Sequence, residues 1–299
     1  MPTVTSFANF VVSNLGPITT TFTAPASCTT EQLVVGFSAS PLDDIWQTDC
    51  GPLAGSVGQC RPSGAGIDAF YSRNYLSASP GLLSYYSPGI VCPAGWTTAG
   101  VTSRNTDGSP GSASGVFNFP APTKTQPSYL QWITALGQVI DPGETAAVCC
   151  PSGYTIPRDP GYCYSVLPTS VYQPSAGSSF CQLQFTSADV GTMNMTLTIN
   201  GQSRSTQVLE VTGTVPITIV STTFSPAQAT HLVGVKIVPM VPLVHKAADL
   251  SMTSLGGGPA TSSNPANSLR HTSRGTLGIW SIVVAAIAMA SGVALMFPF

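Results

Sequence analysis

Eight cysteines, Cys28, Cys50, Cys60, Cys92, Cys149, Cys150, Cys163 and Cys181, all lie in the first two thirds of the chain. An even count confined to one region predicts a disulfide framework made in an oxidising compartment. Such a framework admits over a hundred pairings, and the sequence does not choose among them. Adjacent Cys149 and Cys150 rarely bridge each other on geometric grounds, so they are expected to staple two different strands or loops. A zinc site would need histidines or closely spaced cysteine pairs. The chain has no Cys-x-x-Cys, and its first histidine, His231, follows every cysteine. No metal and no cofactor is expected.

The chain is 43% hydrophobic but only 7% charged, against about 25% charged in an ordinary globular protein. Solubility must come from hydroxyls, amides, exposed backbone and glycans, which favours an extracellular or cell-wall setting. A formal net charge of −2 offers no basic footprint, so nucleic acid is not an expected partner.

Leu277 to Phe299 is one uncharged apolar run. As a helix it would span about 34 Å, enough to cross a bilayer core of about 30 Å with some tilt. A single-pass membrane helix is therefore expected, with the lipid bilayer as its partner. Arg270, His271 and Arg274 precede it, and positive charges alone would put that side in the cytosol. The cysteines argue for the outside, which is the expected orientation. A third reading is a lipid-anchor signal, with Ser262-Ser263-Asn264 as the small-residue site. Met1 to Phe22 shows no signal peptide pattern. Either the terminal helix targets the chain or a leading segment is missing from this sequence.

Residues 1–182 read as a cysteine-rich ectodomain of short strands and loops, and 183–249 as a β region packed with it. A Ser/Gly/Pro stalk, 250–276, and the membrane helix, 277–299, follow. Gln32 to Phe37 is a plausible strand. Cys92-Pro93-Ala94-Gly95-Trp96 and Cys150-Pro151-Ser152-Gly153-Tyr154 share a turn signature, with Pro expected at the second turn position. Cys60-Arg61-Pro62-Ser63-Gly64 is a looser third copy. Ser103 to Thr125 has no hydrophobic period and is expected to be an exposed loop. Tyr129 to Ile140 is a short helix or a strand. Met193, Met195, Leu197 and Ile199 alternate with polar residues as in a half-buried strand, and Asn200-Gly201 predicts a hairpin turn. Ile217 to Val220 and Leu232 to Val244 add further strand-like runs. The sequon Asn194-Met195-Thr196 falls on the polar face of that first strand, making Asn194 the glycosylation candidate.

Catalysis finds little support. No histidine lies within the cysteine region to pair with a Cys or Ser nucleophile. Asp43 and Asp44 beside Trp46, with Asp49, Asp68 and Asp141, leave carboxylate chemistry or calcium as options. A turn or helix N-cap is the simpler account of the Asp43–Asp44 pair. The aromatics of the cysteine region, Tyr71, Tyr75, Tyr85, Tyr86, Trp96, Tyr154, Tyr162 and Tyr164, could stack on sugar rings. Covering disulfides is the more common use of such rings.

Thr19 to Cys28, Tyr86 to Trp96 and Val148 to Tyr154 resemble a group of filamentous-fungal surface proteins over about residues 17–182. The resemblance implies a cysteine-rich ectodomain, a Ser/Thr stalk and one C-terminal membrane helix, and brings no activity with it. This chain departs from the group in having no polar tail after its helix, which argues against intracellular signalling. The expectation is a mainly β, disulfide-braced, loop-rich ectodomain on a disordered stalk and one transmembrane helix. Its expected role is non-enzymatic, contacting cell-wall polysaccharide or another surface. The alternatives are a secreted-face Asp-dependent hydrolase and a lipid-anchored wall protein.

Overall fold

The computed structural model describes residues 2–8, 10–28, 32–48, 58–74, 81–118, 128–156, 162–175, 177–184, 190–199, 202–211 and 218–252. The apolar run, most of the stalk, Cys50, Asp49 and Tyr75 lie outside the described residues. Among the described residues no helix is long and apolar enough to cross a membrane.

The fold is mainly β. In chain order its elements begin with β1 (Ser6–Phe7), β2 (Phe10–Asn14), β3 (Gln32–Phe37), β4 (Ser40–Gln47), α1 (Gly64–Asn74) and β5 (Gly81–Tyr85). Next come β6 (Trp96–Arg104), β7 (Pro110–Gly115), β8 (Ser128–Tyr129), α2 (Trp132–Val139), β9 (Glu144–Pro151) and β10 (Tyr162–Val166). The remainder is β11 (Ser179–Gln184), β12 (Val190–Ile199), β13 (Gln202–Val211), β14 (Thr218–Thr223), α3 (Pro226–Ala229), β15 (Leu232–Pro239), β16 (Val241–Lys246) and α4 (Ala247–Met252).

These strands form a six-stranded sheet, β10-β15-β3-β4-β11-β14, and a four-stranded sheet, β16-β9-β6-β7. Two three-stranded sheets, β1-β2-β5 and β12-β13-β8, complete the set. Strands from both sides of residue 182 share the two larger sheets. β3 sits inside the six-stranded sheet, where fully buried Val34 and Val35 belong to different apolar clusters. Successive side chains of a strand point to opposite faces, so both faces are covered there. That accounts for its unbroken apolar run Leu33-Val34-Val35.

β15 and β16 are one strand bent at Met240, passing from the six-stranded sheet into the four-stranded one. β9 and β10 pair with its two halves in turn, Cys149 opposite Val241 and Cys163 opposite Val238. The Cys150–Cys163 disulfide links the end of β9 to the start of β10, with Cα atoms 5.7 Å apart. The largest apolar cluster fills this junction, with Leu83, Leu136, Val148, Cys150, Val238 and Met240 among its buried members.

Several expectations change against this architecture. The stretch from Ser103 is not a plain loop: it holds the end of β6 and all of β7, which pair as a hairpin. The Pro-Gly-Ser-Ala-Ser-Gly sequence of β7 carries no apolar alternation, so its extended state comes from pairing with β6. Asp43 and Asp44 lie within β4 and not at a turn or helix N-cap. They lie at the irregularity of the β3–β4 ladder, between the Phe37–Ser40 and Gly36–Ile45 pairs. Within Tyr129 to Ile140, Tyr129 ends strand β8 and Trp132–Val139 form helix α2, which buries Ile133, Ala135, Leu136 and Val139. Helix α1, with Gly64 and Gly66 in its first turn, had no clear signal. α4 continues to Met252, three residues into the expected stalk.

Candidate functional site at the cysteine turns

The three cysteine turns share one geometry. The Trp96 amide donates to the Pro93 carbonyl at 3.0 Å, Tyr154 to Pro151 at 3.0 Å, and Gly64 to Arg61 at 3.1 Å. Each cysteine therefore precedes its turn, and Pro93 and Pro151 occupy the first position, not the expected second. Proline has no N–H to give, but its carbonyl is free to accept the aromatic residue's amide. The third position is left-handed in all three, at φ 76° for Gly95, 83° for Gly153 and 52° for Ser63. Glycine suits that conformation because it has no Cβ to clash.

The turns are knit together through backbone. The Ser152 amide donates to the Gly95 carbonyl at 2.9 Å, and the Ala94 amide to the Phe22 carbonyl at 2.7 Å. β6 and β9 align Trp96 with Pro151 and Thr97 with Cys150.

Disulfides link Cys28 to Cys60, Cys92 to Cys149, and Cys150 to Cys163, with Cα separations of 5.3, 5.7 and 5.7 Å. Cys149 and Cys150 thus bridge to different partners. Cys149 joins the cluster of Ile18, Tyr86 and Val241, while Cys150 joins the junction cluster on the other side. Cys181, buried in β11, is also disulfide-bonded.

Arg61 belongs to the third turn and is buried. Its Nη2 donates to the Met240 carbonyl at 2.7 Å, at the bend between β15 and β16. Its guanidinium carbon stands 5.8 Å from the centre of the Trp96 ring. The Tyr86 hydroxyl donates to the Pro62 carbonyl at 2.6 Å. The aromatics divide accordingly. Tyr85, Tyr86 and Tyr162 are core residues, whereas Trp96 and Tyr154 are half-buried and pack beside the disulfides. Tyr164 is half-buried against a face of the six-stranded sheet. The side chain of Tyr71 lies outside what is described.

Glu144 is fully buried, and its Oε2 accepts the Asp141 amide at 2.9 Å, bracing the turn before β9. Nearby, the Tyr85 hydroxyl donates to the Pro2 carbonyl at 3.3 Å, and the Thr3 hydroxyl to Asp141 Oδ1 at 3.2 Å. Burial, reinforced by Glu144 and then Asp141, pushes the Tyr85 phenol up to about 12. Asp68 Oδ2 accepts the Gly58 amide at 3.2 Å. Asp107 accepts the hydroxyl and amide of Ser109 at the β6–β7 tip, which holds its carboxyl below the usual range.

His231 is exposed after α3, and His245 Nδ1 lies 3.0 Å from the Gly89 carbonyl. Among the described residues no group of three His, Cys, Asp or Glu could hold a metal ion.

Asn194 and Thr196 are exposed on β12, with Gln207 and Ser205 opposite on β13. Met193 and Met195 turn inward against the core. Ile199 pairs with Gln202, leaving two residues for the hairpin connection. β12 is an edge strand, and Gln138 of α2 clasps it. Gln138 Nε2 donates to the Thr198 carbonyl at 2.7 Å, and Oε1 accepts the Thr198 amide at 3.2 Å.

Sequence reading did not single out Arg61, Glu144 or Gln138 for these roles. Only Arg61 carried a signal, its place in the third copy of the turn. No family model, curated protein or solved structure matches the chain.

Proposed function

We propose that this chain is a non-enzymatic, single-pass surface protein whose disulfide-braced β head stands outside the cell and contacts wall polymers or another surface. The observation that carries this reading is the placement of the disulfides. Buried bridges at the sheet junction are part of the fold's architecture, and such bonds persist in oxidising surroundings. The apolar run from Leu277 to Phe299 supplies the tether. The exposure of Asn194 and Thr196 fits a glycan directed at solvent.

Protease protection on intact cells, with an epitope at the N-terminus, tests sidedness and anchoring together. The expected result is loss of the epitope from unpermeabilised cells and recovery of the C-terminal fragment with membranes. An epitope that survives until the cells are permeabilised would overturn the reading.

A further inference from the structure

We infer that the joined cysteine turns form a binding platform for a neutral polysaccharide, centred on Phe22, Trp96 and Tyr154. This deepens the proposed surface role and rests on the head facing outward. The three aromatic residues come from three chain segments and are each half-buried. Two backbone hydrogen bonds hold those segments together, Ala94 to Phe22 and Ser152 to Gly95. The bridges Cys92–Cys149 and Cys150–Cys163 fix the turns beneath. Thr97, Ser152 and Thr155, beside these turns in sequence, are exposed.

The chemistry of this surface selects its ligand. No charged residue occurs in 16–28, 91–103 or 145–156. Among the described residues the cation recorded against these rings, Arg61 over Trp96, is buried and engaged with the Met240 carbonyl. A nucleic acid or a charged peptide would find no counter-charge here. A neutral sugar ring offers C–H groups to the negative face of an aromatic ring and hydroxyls to neighbouring Thr and Ser. The turns are short and pinned, so little conformational freedom is lost on contact.

The test uses the full chain in detergent micelles with insoluble β-glucan and chitin as separate arms. Wild type should be retained on at least one polymer. Tyr154→Ser with Phe22→Ser should weaken retention about thirtyfold, since two stacked rings at on the order of 1 kcal/mol each give about 2 kcal/mol. Ser152→Glu, which sets a charge on the platform at an exposed turn position, should weaken it as well, while Ser170→Glu on the loop after β10 should not. Melting of each variant within a few degrees of wild type guards against unfolding. Retention of wild type that both platform variants match would overturn this site and leave a polymer-contacting head standing. Failure of wild type to bind either polymer would overturn the inference, with the outward tether decided separately by protease protection.

Discussion

The Arg61 guanidinium donates to the Met240 carbonyl at 2.7 Å, joining residues separated by 179 positions. Met240 is the bend at which one strand changes sheet, so its carbonyl lies between two ladders. The same guanidinium stands over Trp96, and the Cys28–Cys60 bridge ends one residue before it. One side chain therefore ties the third cysteine turn to the first and to the sheet junction.

Replacing Arg61 by Ala should destabilise the head by about 2–4 kcal/mol. Stranding a buried acceptor costs about 1–3 kcal/mol, and the lost cation–π contact adds on the order of 1 kcal/mol. At this size that means a melting shift of roughly 5–15 °C. Lysine should rescue part of the loss, because it restores one donor but not the planar fork. Thermal melts of the three chains decide this, and equal melting of wild type and Arg61→Ala would refute the role.

The bridges should stabilise more the longer the chain they close, which spans 32, 57 and 13 residues for Cys28–Cys60, Cys92–Cys149 and Cys150–Cys163. On the chain-entropy account each stabilises by about 3–4 kcal/mol, the longest loop most. Heating with and without reductant should show a large drop in melting temperature on reduction; unchanged melting would remove the framework from any account of stability. Peptide mapping should return these three cross-links and a further one containing Cys181.

What the sequence could and could not reveal follows from where each determinant lies. Gln32 to Phe37 and the Met193 hairpin were legible because alternation, apolar runs and a turn dipeptide are local signals. β7 was not, since Gly, Ser and Ala carry no pattern and its extension depends on β6. The likeness of the cysteine turns was legible, but their hydrogen-bond frame and mutual contact were not. Proline suits more than one turn position, and only the β6–β9 register brings Gly95 beside Ser152. Arg61 and Gln138 act through backbone groups far away in sequence, a relation no spacing rule reports.

Gln138→Ala should open the edge of β12. The Gln138 amide takes the place of a neighbouring strand by giving one bond to Thr198 and receiving one from it. Its loss should speed hydrogen exchange of the Thr198 amide more than that of core amides such as Val148. Global stability should fall by about 1–2 kcal/mol, the sum of two net hydrogen bonds. An unbonded edge also invites pairing between molecules, so the variant should associate more readily in sedimentation. Exchange at Thr198 equal to wild type would show that the clasp does not protect the edge.

Tyr85 gives the head an alkaline limit. Its phenol ionises near 12 in the folded state, against an ordinary 10.0, because burial, then Glu144, then Asp141 disfavour the anion. The folded chain thus holds the proton more tightly than the unfolded chain does. That contribution is complete below pH 10 and is lost as pH rises through about 12. Tyr85→Phe removes the titration and also the hydrogen bond to Pro2. The variant should be less stable than wild type by about 1 kcal/mol at neutral pH, and the two stabilities should draw together above pH 10 and cross before about 12. Both chains carry the same disulfides and the same other tyrosines, so alkaline damage common to them cancels in the difference. Urea unfolding across that range reads the result directly: a gap that stays constant would mean that the Tyr85 proton is not linked to folding.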